Sequence, residues 1–286
     1  METLNNKIDF AVIVSVKNAN PNGDPLNGNR PRVNYDGFGE LSDVCLKRKI
    51  RNRLMEFGYP IFVQSDDNRV DDYRSLRARA EGELKDVLKN EEQFRNAACT
   101  EWLDVRAFGQ VFAFSGGGKG EDKGVSIGIR GPVSIHSAFS VSPVSISSIQ
   151  ITKSVSGEGD GTKRASDTMG MKHRVDHGLY VFYGSINPQL ANKTGFNDAD
   201  AGAIKEALVN LFENDASSAR PEGSMEVYKV YWWIHNCRNG QYSSAKVHRS
   251  LRVSVKDGII EPKDIDDYDI DVQQLDSLCM ETLEGR

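Results

Sequence analysis

The chain has no apolar run long enough to cross a membrane as a helix. Its longest run near the N-terminus, FAVIVSV at residues 10–16, follows Asp9 and falls far short of the ~20 residues such a span needs. No signal-peptide layout surrounds it, so the expectation is a soluble, cytoplasmic protein without a membrane partner. Cysteine is scarce: Cys45, Cys99, Cys237 and Cys279 lie far apart and form no CxxC pair, which suits a reducing compartment. No serine or cysteine is paired with a positioned histidine in a nucleophile motif. The glycines around Lys119, at positions 116–118 and 120, lack the Gly-Lys-Ser/Thr ending of a phosphate loop, and no capped helix follows to present its amides.

Metal chemistry has thin support. His173 and His177 stand four apart, as zinc ligands on a helix would, but Val175, Asp176 and Gly178 point to the start of a strand. A solvated or RNA-facing pair is the expectation, so no metal and no cofactor are assigned. Asp24, Asp36 and Asp43 could hold a divalent ion for phosphodiester cleavage. Their ordinary roles are a turn before Pro25, a turn before Gly37 and a helix start.

The charge that is present is unevenly spread. The net charge is −5, yet residues 30–53 hold seven bases (Arg30, Arg32, Lys47, Arg48, Lys49, Arg51, Arg53) against three acids. Residues 257–286 hold ten acids and two bases, so the acidic balance of the whole comes from its end. Nucleic-acid binding follows the local patch and not the total.

At 286 residues the chain buries roughly three quarters of its unfolded surface and needs neither disulfide nor metal to hold a core. One large domain with insertions and two domains are both open. Residues 8–16 predict a central strand covered on both faces. A turn-rich loop, residues 18–28, precedes Ser42, which predicts the N-cap of a helix over residues 43–57 ending at Gly58. In that helix Leu46, Ile50, Leu54 and Phe57 share one face, and Lys47, Arg48 and Arg51 sweep an adjoining arc without acidic i,i+4 partners. Residues 66–98 predict a helical insertion. DVRAFGQVFAF at 104–114 reads as a buried strand broken at Gly109, and 125–154 as a β-rich block.

Residues 154–170 are too polar to pack and predict an exposed hairpin tip, flanked by Lys153, Lys163, Arg164, Met169, Met171, Lys172, His173 and Arg174. Strands are expected over 178–186, 225–235 and 248–255, with a helix capped by Asn197 between the first two. Strand, helix, strands, helix, strand is the split βαββαβ order of ferredoxin-like and RNA-recognition folds, an α+β class. The basic helix could be a merely solvated face. The missing acidic partners, the added Arg30 and Arg32 and the second cluster at the hairpin favour sequence-independent phosphate contacts instead.

Several long motifs in order, NPNGDPLNGNRPR (20–32), SDVCLKRKIRN (42–52), DVRAFGQVFAF (104–114), IRGPVSI (129–135), MGMKHRVDHGLYVFYGSINPQLANKTGF (169–196) and VYWWIH (230–235), make the chain resemble a known family. It is similar to the repeating backbone subunit of CRISPR surveillance complexes (Cascade), the Cas-seven family, in its subtype I-C or Dvulg branch. The resemblance implies a single RRM-like palm over 1–286, helical fingers at 60–103, a β-hairpin thumb at 149–175 and an acidic C-terminal segment at 257–286. It implies copies stacked head to tail along a crRNA guide, with target DNA paired to the guide. The crRNA-processing, large and small subunits of the complex are the further partners. Phosphate contacts are carried over to Ser42, Lys47, Arg48 and Arg51, with Arg30 and Arg32 beside them. Lys153, Met169, Met171, Lys172, His173 and Arg174 fall on the thumb, where Met169, Met171 and Lys172 are candidates for wedging beside a displaced base. The expectation is a binder without catalysis. The alternative is a metal-dependent ribonuclease using Asp24, as in related type III backbone subunits. The acidic segment is expected to pack on a neighbour's basic surface or to discourage nonspecific binding.

Overall fold

Alternate residues of one strand decide the layering. In β1 (Ile8–Ala19), successive side chains point to opposite sides of the sheet, and apolar residues occupy both. Phe10, Val12, Val14 and Val16 enter the main core, whereas Ala11 and Ile13 enter a second one. β1 accordingly lies inside an eight-stranded antiparallel sheet, as its near-continuous Val/Ile run anticipates. The computed structural model describes residues 2–88, 90–114, 125–153 and 169–286.

After β1 come β2 (Gly23–Asp24), β3 (Arg30–Pro31), β4 (Phe38–Leu41) and the helix α1 (Asp43–Glu56). Then follow α2 (Leu76–Glu83), α3 (Glu91–Glu101), α4 (Leu103–Phe108) and the pair β5 (Gly109–Phe114) and β6 (Val125–Arg130). β7 (Val133–Ile135), β8 (Ala138–Pro143), β9 (Ile146–Thr152) and the long β10 (Met169–Ile186) lead to α5 (Pro188–Thr194), α6 (Asp198–Val209) and β11 (Met225–Ile234). The chain ends with α7 (Ser244–His248), β12 (Leu251–Val255), β13 (Tyr268–Val272) and β14 (Cys279–Glu284).

The sheet runs β14-β11-β1-β10-β8-β4, with β7 and β9 also pairing with β10. Helices α1 and α6 pack together on one face, their Leu46, Ile50, Leu54, Ile204 and Leu208 sealing the main core. Val247, Leu251 and Tyr268 of the C-terminal elements cover the other face. A third core forms within the insertion. Phe112 of β5 sits 5.0 Å from both Phe62 and Phe94, and Trp102 stacks on the same group. The β5–β6 pair therefore shares a core with the helices that precede it.

Three expectations change. DVRAF is the helix α4 and not a strand, because Asp104 is drawn into tertiary hydrogen bonds; only from Gly109, at φ +80°, does the chain become β5. A side chain at Gly109 would meet the Ile129 carbonyl at 2.3 Å, so the turn requires glycine. The strand expected from 248 begins at Leu251, since His248 closes α7. α5 is an addition, although Asn187 as cap and Pro188 at the first position are its ordinary start signals. Within the chain, part of the acidic segment joins the sheet: β14 pairs with β11, Lys205 holds Glu281 at 2.6 Å and Lys17 holds Asp264 at 3.2 Å. The glycine run at 116–120 and the hairpin tip at 154–168, with Lys163 and Arg164, lie outside the described residues. No helix among the described residues is long and apolar enough to cross a membrane.

Candidate nucleic-acid interface

The start of α1 is built by the loop before it. Ser42 has extended backbone, its Oγ accepts the Cys45 N–H at 3.3 Å, and its hydroxyl and N–H both donate to Asn22 Oδ1 at 2.9 Å. Asn22 thus ties the loop to the helix. Asn34 Oδ1 accepts from Asp36 and Phe38, and Asp24 Oδ1 accepts from Leu26 while lying 3.5 Å from Arg32. The loop is ordered by its own short polar side chains, as its composition predicts. Asp24, Asp36 and Asp43 serve turns and a helix start, and no cluster of metal-ligating side chains forms among the described residues.

The cations of α1 are not free, which corrects the expectation of an unpaired arc. Lys47 reaches back one turn to Asp43 at 2.9 Å, and Arg48 meets Asp67 at 3.4 Å. Arg51 Nε donates to Asp104 at 2.8 Å, with its guanidinium 5.1 Å over the Phe108 ring. Lys49 pairs with Asp215 and Arg53 with Glu56. Burial pushes the Lys49 pKa down, and Asp215 offsets part of that loss. These pairs differ in exposure. Arg48 is 60% exposed and Asp67 72%, whereas Asp104 is buried and also accepts the N–H groups of Phe62 and Val63. Beside Arg48 opens a cavity of about 350 Å³ that also reaches Asn52, Ser217 and Arg220. No motif singled out Arg220, because its loop joins α1 only through tertiary contact.

The second cluster lies on the β9–β10 ribbon. Met169, Met171 and His173 fall on one face, opposite Thr152, Gln150 and Ser148. Lys172 and Arg174 fall on the other, opposite Ile149 and Ser147, so the three wedge candidates do not share a face. Met169 and Met171 are exposed, His173 Nδ1 lies 2.8 Å from Ser148 Oγ, and Arg174 lies 3.6 Å from Asp176. Among the described residues no carboxylate is in ion-pair range of Lys172 or of Arg30. His173 and His177 sit on one strand, about 13 Å apart at ~3.3 Å per residue, too far to share an ion.

The fold brings these two regions to one end of the sheet. Ala19, where the loop leaves β1, pairs with Val175 at the root of the ribbon, and β3 with Arg30 lies against β10. The result is a polar loop, a capped basic helix and an extended ribbon with exposed thioethers around one edge. Such an arrangement suits a flexible polyanion.

A family model for CRISPR-associated protein Cas7 matches residues 6–273, and the chain belongs to that family. A Haloferax volcanii protein described as CRISPR-associated protein Cas7 is 27% identical over 234 residues, covering 76% of this chain and 67% of the relative. A solved chain described as CRISPR RNA-guided surveillance complex, pre-nicking, aligns over 88% of this chain and 83% of its own at 13% identity, with a TM-score of 0.49. Another, described as CRISPR RNA-guided surveillance complex, covers 89% and 78% at 16% identity, with a TM-score of 0.44.

Proposed function

We propose that this protein is the crRNA-binding repeating backbone subunit of a CRISPR RNA-guided surveillance complex of the I-C type. Copies stack head to tail along the guide, hold its phosphates and leave its bases free to pair with target DNA. The processing, large and small subunits of the same complex complete the assembly. The observation that carries this reading is the shared position of the loop–α1 region and the β9–β10 ribbon at one end of the sheet, joined through Ala19 and Val175.

The sheet order supports an RNA-recognition-like palm. Taken along the chain, β1, α1, β8, β10, α6 and β11 follow the split βαββαβ pattern, with β11 beside β1 and β10 between β1 and β8. The ribbon acts as the thumb, and Met169 and Met171, exposed on one face, fill the gap beside an unstacked base. Lys172 and Arg30 hold phosphate directly; Arg48 does so by exchanging its exposed carboxylate partner. Ser42 positions the helix, since its hydroxyl is spent on Asn22 and the Cys45 amide. Protein supplies shape and charge, and base pairing reads the sequence.

The chain carries no catalytic role in this reading, because Asp24 is committed to a turn and to Arg32. Expression with a guide-encoding array, followed by purification and sequencing of the bound RNA, tests the whole. Guide-length RNA that protects a multimer, and a multimer that collapses on ribonuclease treatment, are the expected results. A multimer that survives the nuclease and forms again without RNA overturns the RNA-scaffold reading. Magnesium-dependent cutting of target RNA that disappears in Asp24→Ala overturns the non-catalytic one.

A further inference from the structure

On the face of the sheet away from α1 and α6, the C-terminal elements line an open cavity of about 650 Å³, within the size range of small-ligand sites. Lys246 of α7, Arg249 just after it and Arg252 of β12 line it. All three are exposed, and no ion pair joins any of them to a carboxylate among the described residues, although Asp276 also lines the cavity and Asp271 stands opposite Arg252 across the β12–β13 pair. That separates them from the cations of α1, each of which has an acid. Lys246 Nζ instead rests 4.3 Å from the centre of the Tyr242 ring, whose hydroxyl donates to the Asp276 carbonyl at 3.1 Å.

The cavity also has an aromatic side. The His248 ring stacks on Tyr183 with centroids 4.9 Å apart, and its Nε2 donates to the Gly184 carbonyl at 3.1 Å. A carbonyl only accepts, so Nε2 carries a proton. Gln273 adds an exposed amide at the rim, held in place by its backbone N–H on the Ser250 carbonyl. Guanidinium forks suit phosphate oxygens, aromatic rings suit the faces of bases, and an amide suits a base edge. An acidic peptide would use the cations alone.

We propose that this cavity is a second nucleic-acid contact, separate from the one at the loop and ribbon, and that it takes one nucleotide of a single strand. The phosphate lies on Arg249 and Arg252, and the base lies against Tyr242 and Tyr183. The site stands on the other face of the sheet and does not depend on the guide-RNA reading.

The test uses the full chain and two short 5′-phosphorylated probes, oligothymidylate and oligouridylate, in a background of Arg48→Ala and Lys172→Ala that weakens the other path. Adding Arg249→Gln and Arg252→Gln is expected to weaken binding about tenfold or more and to abolish ultraviolet crosslinks at Tyr183 and Tyr242. Both arginines are exposed, and glutamine keeps part of each stem, so the thermal melt should not move; circular dichroism checks that. A probe preference of deoxy over ribo, or the reverse, tells which strand the site serves. Unchanged affinity with unchanged crosslinks overturns the proposal. So does a synthetic peptide of residues 261–272 that binds more tightly than either probe, which would make the cavity a site for acidic polypeptide.

Discussion

Helix α1 and the β9–β10 ribbon both look basic in sequence, yet they hold their charges on different terms. In α1 every cation from Lys47 to Arg53 has a carboxylate within ion-pair range, and two of them are buried. On the ribbon Lys172 stands without a carboxylate beside two exposed methionines. The difference is that a cation must leave its partner before it can hold a phosphate. An exposed partner such as Asp67 is readily exchanged, since such pairs contribute only ~0–1 kcal/mol. A buried partner such as Asp104 is not. Charge count therefore overstates what α1 offers to RNA and understates what it does for the fold.

Asp104→Ala would break this comparison most sharply. The substitution strands the half-buried Arg51 guanidinium and leaves the Phe62 and Val63 amides without the buried carboxylate that accepts from them. Removing one partner of a buried ion pair costs about 3–5 kcal/mol, and urea unfolding should show a loss of that size. Arg51→Ala should likewise cost more in stability than in RNA affinity. A loss under about 1 kcal/mol for Asp104→Ala would mean that Arg51 is as loosely held as Arg48, and the distinction would fall.

Acidification asks whether burial governs other ions in the same way. Asp9 is fully buried, 3.1 Å from Lys7 and 2.8 Å from His235. Burial pushes its pKa up, but the hydrogen bonds from His235 and Ser244 and the charge of Lys7 outweigh that and hold it below its ordinary 3.8. For His248, burial dominates and lowers the pKa from 6.5, and His177 moves the same way for the same reason. In each case the unfolded chain takes up the proton first. The histidine contribution is thus complete above pH 6.5 and declines below it as pH approaches the folded values. The Asp9 contribution is complete above pH 3.8 and is lost as pH falls through its folded value. Thermal melts should therefore fall in two acid steps. A melt that stays flat from neutrality to below both histidine windows would show that the two rings are solvated in the folded chain.

How much of this is legible in the chain depends on whether the cause is local. The two-sided burial of β1 follows from its unbroken Val/Ile run, and the starts of α1 and α6 follow from Ser42 and Asn197, the latter with Asp200 completing a capping box. Residues 104–108 mislead because a short apolar run is equally compatible with helix and strand, and the buried role of Asp104 decides between them. Within the site, the Asp43–Lys47 pair has a local signal, its four-residue spacing, which the expectation of an unpaired arc leaves out. The pairs to Asp67, Asp104 and Asp215 come from remote segments and leave no local pattern. The same holds for the cavity bounded by Arg249, Arg252 and Gln273, which exists only once the C-terminal strands fold back over the sheet.

Two smaller substitutions sharpen the contrast. Ser42→Ala removes the cap of α1 and one of Asn22's two hydrogen bonds to the helix start, and should cost about 1 kcal/mol of stability. Arg48→Ala should change stability by less than about 0.5 kcal/mol, because its carboxylate partner, Asp67, is exposed. Its effect belongs to binding. Every phosphate of single-stranded RNA that a cation neutralises steepens the log–log salt dependence by roughly 0.7, so Arg48→Ala and Lys172→Ala should each remove about one such increment and together about two. Arg51→Ala, corrected for any unfolded fraction, should leave the slope where it was. A slope that falls for Arg51→Ala and stays put for Arg48→Ala would show that the half-buried guanidinium meets RNA, and that exposure of the ion pair is the wrong criterion for choosing the phosphate ligands of α1.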